Sequence, residues 1–279
     1  MREKGNNINI SLNNLNVCYS DHGPEEAPII IFIHGFPFNK SMWNLQIEAL
    51  KDNYRVIAYD IRGHGSSDGG NQDFSIDLFV QDLILLMNTL KIFKAVLCGL
   101  SMGGYIALNA IKYHPERFEA LVLSDTQCKA DTLEIREKRI NTLENIVEKG
   151  VERFADESVK NLFAGRSFTT NTQEIAAVRK MILDTSEQTL CNTLFALSTR
   201  SETCGDLSNI IVPVLIMVGE EDKITALAEA IFMNKGIKNS ILHVISGSGH
   251  LPNMENASMF NERLKAFAFC LNKTTQIYL

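Results

Sequence analysis

No apolar run in the chain approaches the ~20 residues needed to cross a bilayer, so a membrane span is not expected. The basic N-terminal stretch MREKGNNINISLNN has no apolar segment behind it, the mark of a secretory leader, and a cytoplasmic location is expected. Positive charge is also short: Lys plus Arg number 27 against 33 Asp plus Glu, a net charge of -6. That excess repels phosphate backbones and argues against nucleic acid as a partner. The six cysteines, Cys18, Cys98, Cys128, Cys191, Cys204 and Cys270, include no C-x-x-C pair and no Cys/His spacing suited to zinc. No metal is therefore expected, and buried free thiols are the default reading. Internal repeats and low-complexity linkers are missing as well. What is present, 45% hydrophobic and 22% charged residues over 279 positions, suits a soluble globular protein with one core and an excursion from it.

Two β-type runs at 8–12 and 15–19 flank Asn13-Asn14, a pair that tolerates left-handed turn geometry, so the chain should open with a hairpin. Short apolar runs without alternation follow at 29–33, 56–59, 95–98, 121–123, 214–218 and 242–245, as in strands covered on both faces. Between them, 77–90, 105–113 and 259–269 carry apolar residues at helical spacing. This alternation predicts βαβ units and a parallel sheet, whose ligand sites lie beyond the carboxyl ends of the strands. From 127 to 206 the alternation stops and the chain becomes charged and helical. We expect a core domain of residues 1–126 and 207–279 and a helical cap, 127–206, inserted between two strands of its sheet.

Gly99-Leu100-Ser101-Met102-Gly103 forms G-x-S-x-G directly after an apolar strand and before a helical pattern. In that context Ser101 sits on a strained strand-to-helix turn that projects its hydroxyl, a candidate nucleophile. A phosphate loop is a poorer reading, because the spacing fits neither G-x-G-x-x-G nor a Walker A loop. A serine hydroxyl needs a base within hydrogen-bond reach. His250, in the Gly-rich loop 246–252 after the last strand, is placed for that work, while His243, His114 and His22 have plainer explanations. His34 and His64 stand in loops at strand ends but precede the serine in the chain. Asp222 and Asp125, each following an apolar strand, compete to orient the histidine; Asp222 is favoured because its longer loop lets a carboxylate reach His250, and Glu221 beside it reads as a solvated neighbour. An oxyanion hole needs two backbone N–H groups, expected from Met102 and from Phe36 in the turn His34-Gly35-Phe36-Pro37.

Taken with the H-G-x-P turn, the segment Asp60-x-Arg62-Gly63-His64-Gly65-x-Ser67 and the terminal G-x-G-H, the chain resembles the α/β-hydrolase superfamily along nearly its whole length. Within it, 60–67, 123–126, 198–201 and 218–222 look most like 3-oxoadipate enol-lactonase-type carboxylesterases. The resemblance implies an α/β fold with an eight-stranded, mostly parallel sheet and a helical cap, and places His64 in a structural loop. It excludes haloalkane dehalogenases and epoxide hydrolases, which carry aspartate where this chain has Ser101.

The expected activity is hydrolysis of a small carboxylic ester or lactone through an acyl-enzyme, with no cofactor and a small-molecule substrate as the partner; the oligomeric state stays open. Alternatives are a lyase or C–C bond hydrolase using the same three residues, a perhydrolase or haloperoxidase side activity, and a non-catalytic receptor on the same scaffold. Phe36, Met102, Leu133, Phe154, Phe163 and Phe168 are candidates to line an apolar pocket, and Arg136, Arg139 and Arg200 to bind a substrate carboxylate.

Overall fold

The structure is a computed structural model that describes residues 2–277; Met1 and residues 278–279, the end of the expected core, lie outside the described residues. Strands β1 (Gly5–Leu12) and β2 (Leu15–His22) form the opening hairpin. Asn13 and Asn14 adopt φ of 48° and 70° at its turn, left-handed geometry that asparagine tolerates. Next come β3 (Ile29–Ile33), α1 (Asn44–Leu50), β4 (Arg55–Tyr59), α2 (Ile76–Thr89), β5 (Ala95–Leu100), α3 (Met102–Tyr113) and β6 (Phe118–Ser124). Five helices then intervene before the sheet resumes: α4 (Leu133–Lys149), α5 (Val151–Leu162), α6 (Ser167–Thr170), α7 (Thr172–Leu183) and α8 (Glu187–Ser198). The chain ends with β7 (Val214–Gly219), α9 (Leu227–Gly236), β8 (Ser240–Ile245), α10 (Pro252–Glu255) and α11 (Ala257–Ile277). Among the described residues no helix is long and apolar enough to cross a membrane.

The eight strands form one sheet in the order β1-β2-β4-β3-β5-β6-β7-β8, antiparallel from β1 to β4 and parallel from there on. Continuous apolar strands follow from a core on each face. Ile31, Ile33, Ile57, Tyr59 and Leu97 point into one core, and Ile30, Phe32, Val56, Ala58 and Val96 into the other. β8 departs from that pattern: Ile241 and Val244 remain 55% and 41% exposed, because this strand is the edge of the sheet. Because β4 and β5 flank β3 on opposite sides, the winding reverses there, and a crevice opens beyond the carboxyl ends of β3 and β5.

The helices between β6 and β7 have little core of their own. Ile146, Leu190 and Leu194 form a small cluster, whereas Ala155, Val159, Leu162, Val178 and Ile182 pack into the same core as Phe38, Leu251 and Met254. Thr132 and Ser186 cap α4 and α8 by accepting from the Ile135 and Thr189 amides, as hydroxyl N-caps do. The cysteine expectation needs correction here. Cys128 and Cys204, 76 residues apart, are joined by a disulfide with Cα atoms 4.9 Å apart. They flank the two crossings between sheet and helices, a proximity created by topology that local spacing does not reveal. Of the cysteines outside this bridge, Cys18 and Cys98 are buried as expected, but Cys270 is exposed.

Buried ion pairs fix the loop after β4. Asp60 accepts from the Lys40 ammonium at 2.8 Å and from the Ser66 amide at 3.0 Å, and the Ser67 hydroxyl donates to the Asp60 carbonyl at 2.7 Å. Arg62 grips Asp82 of α2 through two hydrogen bonds of 2.6 Å. Removing one partner of such a pair leaves an uncompensated buried charge. Asp82→Ala should therefore cost about 3–5 kcal/mol of unfolding free energy in urea titration; a loss below about 1 kcal/mol, the range of an exposed pair, would contradict this account.

Candidate active site

β5 ends at Leu100 and α3 begins at Met102, so Ser101 alone makes the turn between them. Its φ of 54° and ψ of -113° form a backbone state that residues with a side chain seldom occupy. Hydrogen bonds hold it there. The Ser101 amide donates to the Ser124 carbonyl at 2.9 Å, and its own carbonyl accepts from the Thr126 hydroxyl at 2.8 Å and the Gly104 amide at 2.9 Å. The tight crossing explains two glycines of the motif: a Cβ on Gly99 would strike the Gly103 carbonyl, and one on Gly103 the Ile33 carbonyl. Ser101 also precedes the amino end of α3, whose partial positive charge favours an anion.

Ser101, Met102, Phe36 and His250 line one cavity of about 520 Å³. His250 follows β8, and its Nδ1 lies 2.9 Å from Asp222 Oδ2, with both side chains buried. With the Nδ1 proton directed at the carboxylate, Nε2 is left as the acceptor of the ring. Asp222 is well supplied with donors. Its Oδ1 accepts from the Ile224 amide at 2.8 Å and the Thr225 amide at 3.3 Å, and its Oδ2 from the Thr225 hydroxyl at 2.7 Å. Burial alone would raise the Asp222 carboxyl, but the His250 charge and these hydrogen bonds outweigh it and hold the group below its ordinary range.

Asp125, the competing acid, is fully buried beside this pair and does not line the cavity. Its carboxyl accepts from the Gly219 amide at 2.8 Å and the Ser124 hydroxyl at 2.6 Å. Of the two acids, Asp222 makes the contact to the His250 ring. His34 and His64 are buried away from the cavity. His34 Nε2 accepts from the Ile61 amide at 3.0 Å, and burial pushes the His34 and His64 imidazoles down to about 4 and about 3. Neither resembles a base poised near neutrality.

Residues 28–257 match the sequence profile of the alpha/beta hydrolase fold family. The chain belongs to the α/β-hydrolase family. It is 30% identical over 254 residues to 3-oxoadipate enol-lactonase 2 of Acinetobacter baylyi, covering 89% of this chain and 91% of that one. A thermophilic esterase from Thermogutta terrifontis superposes with a TM-score of 0.89 at 28% identity, covering 97% of this chain and 99% of the other. The enol-lactonase of Burkholderia xenovorans gives 0.88 at 25%, covering 94% and 100%.

In this α/β-hydrolase the expected pocket lining is corrected in part. Phe36, Met102 and Phe154 line the cavity, but Leu133 and Phe168 are 77% and 43% exposed elsewhere, and Phe163 is buried in the core under the sheet. Arg136 lies away from the cavity, and Arg200 is consumed structurally, its guanidinium bound to Asp131 and to the Leu197 and Lys129 carbonyls and stacked over Tyr105. Arg139 does reach the cavity, while pairing with Asp131. Several lining residues escaped sequence reading, among them Tyr105, Lys138, Leu194 and Ile224. One signal was present: Ile135, Lys138, Arg139 and Thr142 follow the i, i+3, i+4, i+7 rule, and that face of α4 is the one over Ser101.

Glu255 was also missed. This buried carboxylate accepts from the Gly249 and Leu251 amides, on either side of His250, and from the Ala164 amide and Ser167 hydroxyl of the helical insertion. The His250 amide in turn donates to the Leu162 carbonyl at 2.7 Å. Glu255→Ala should strip four donors of their acceptor and speed hydrogen exchange at Gly249, Leu251 and Ala164 by about tenfold or more. Unaltered protection at these amides would show that Glu255 does not hold the loop.

Proposed function

We propose that the chain is a serine hydrolase that cleaves a small carboxylic ester or lactone through an acyl-enzyme. The observation that carries this reading is that Ser101, on its strained turn, and His250, paired with Asp222 at 2.9 Å, face one cavity. The esterase and enol-lactonase relatives support it. Ser101 attacks the carbonyl while His250 accepts its proton, and the Phe36 and Met102 amides stabilise the oxyanion. His250 then protonates the leaving alkoxide. It next deprotonates water for deacylation, with Asp222 balancing the imidazolium. No metal or organic cofactor takes part in this scheme.

The core, 1–126 and 207–279, supplies the chemistry, and the cap, 127–206, reads the substrate. Phe36, Tyr105, Ile135, Phe154 and Leu194 give the cavity an apolar wall suited to the body of a small ester, and its volume is within the range of small-molecule sites.

Incubation with a fluorophosphonate followed by mass spectrometry should find one adduct, on Ser101, and p-nitrophenyl acetate or butyrate should give a burst. Ser101→Ala or His250→Ala should lower kcat by about 10⁶-fold. Asp222→Asn should lower it by about 10⁴-fold. Turnover surviving in Ser101→Ala, or an adduct at another residue, would refute the assignment. A cytoplasmic location stays part of the proposal, and the cysteines offer its check. Alkylation in fresh lysate should modify Cys128 and Cys204 in a reducing compartment; a protected pair would point to an oxidising one.

A further inference from the structure

Asp125 is an acid without an evident use. It follows β6 at φ 45°, a left-handed state that a non-glycine residue holds only when its surroundings impose it. Its amide donates to the Met217 carbonyl at 3.0 Å, which locks the backbone to β7. The side chain is 1% exposed. Asp125, Asp222 and His250 each present an atom within 4.8 Å of the others.

Two buried carboxyl groups with oxygens within 4.8 Å of each other resist joint ionisation unless cations compensate them. Among the described residues no lysine or arginine pairs with either one. The other charged groups of the loop are engaged elsewhere: Glu220 accepts from the Gly247 amide, Glu221 from the Gly165 amide, and Lys223 borders the cavity. The charged groups facing Asp125 are thus Asp222 and, next to it, His250. Donor supply decides which acid keeps a proton. Asp222 receives hydrogen bonds from His250, Thr225 and Ile224, whereas among the described residues Asp125 receives those of Gly219 and Ser124 alone.

We propose that Asp125 is a positioning residue that stays protonated and donates its carboxyl proton to Asp222, so that the two acids carry one negative charge and the Asp222 carboxylate is held in register with the His250 ring. This rests on the esterase reading above for its kinetic consequence, though not for the protonation itself. Burial, followed by the charge of Asp222, drives the Asp125 carboxyl well above its ordinary range, in keeping with the same assignment.

The experiment combines carbon NMR of protein labelled at the aspartate carboxyls with kinetics of two variants. At neutral pH one carboxyl resonance should sit at the protonated position and disappear in Asp125→Asn. Asp125→Ala, which removes the donor, should lower kcat about 10- to 100-fold with little change in KM. Asp125→Asn, which keeps an N–H donor and a carbonyl acceptor, should recover most of that loss. The acid limb of the kcat/KM profile should hold its place in Asp125→Asn, because no charge is removed.

Several results would overturn the proposal. One is the lack of a protonated carboxyl resonance in the wild-type protein. Another is an acid limb displaced to lower pH in Asp125→Asn, the direction expected if a negative charge near His250 had been deleted. Equal kcat losses for Ala and Asn would do the same. The resonance seen in a protein that turns over no ester supports the shared proton and defeats the hydrolase reading, whereas ester turnover without the resonance defeats only the proposal made here.

Discussion

The Glu255 carboxylate accepts hydrogen bonds from two segments far apart in the chain, the Ala164–Ser167 bend of the helical insertion and the loop that carries His250. In a buried setting each donor would otherwise go unpaired, so one side chain sets the height of the insertion above the sheet and the path of the histidine loop together. The rest of the site follows from that registration. His250 meets Asp222 because its loop is pinned on both sides, and the cavity has a fixed roof because α5 ends where the His250 amide reaches the Leu162 carbonyl.

Beneath that contact, the sheet contributes position and the turn after β5 contributes strain. The reversal of winding at β3 leaves the loops bearing Phe36 and Ser101 side by side at the carboxyl ends of neighbouring strands. The unfavourable backbone of Ser101 is tolerated because Ser124 and Thr126, at the end of the next strand over, hold its amide and carbonyl. Two apolar cores supply the stability that such a local distortion draws upon.

Much of this was legible in the sequence because the signals are local. Asn13-Asn14 announced the hairpin, unalternating apolar runs announced enclosed strands, and the G-x-S-x-G context located the turn whose φ is positive. The preference for Asp222 over Asp125 also stood on a local feature, loop length, and the structure gives the His250 contact to Asp222. What stayed hidden depends on segments that meet only after folding. Nothing in the spacing of Cys128 and Cys204 signalled a bridge, and nothing around Glu255 distinguished it from a surface acid ahead of the last helix. Arg200 misled for the opposite reason: its charge suggested a ligand, but Asp131 and two carbonyls already engage it.

Where the bridge between Cys128 and Cys204 stays oxidised, it closes the helical insertion into a covalent ring at its base. A protease that cuts any exposed turn inside that ring leaves both halves of the sheet attached to each other through sulfur. The nicked molecule runs as one species until a reductant is added. The ring thus separates backbone continuity from fold continuity, and the span over the cavity is a place where new chain ends can be opened without parting β6 from β7.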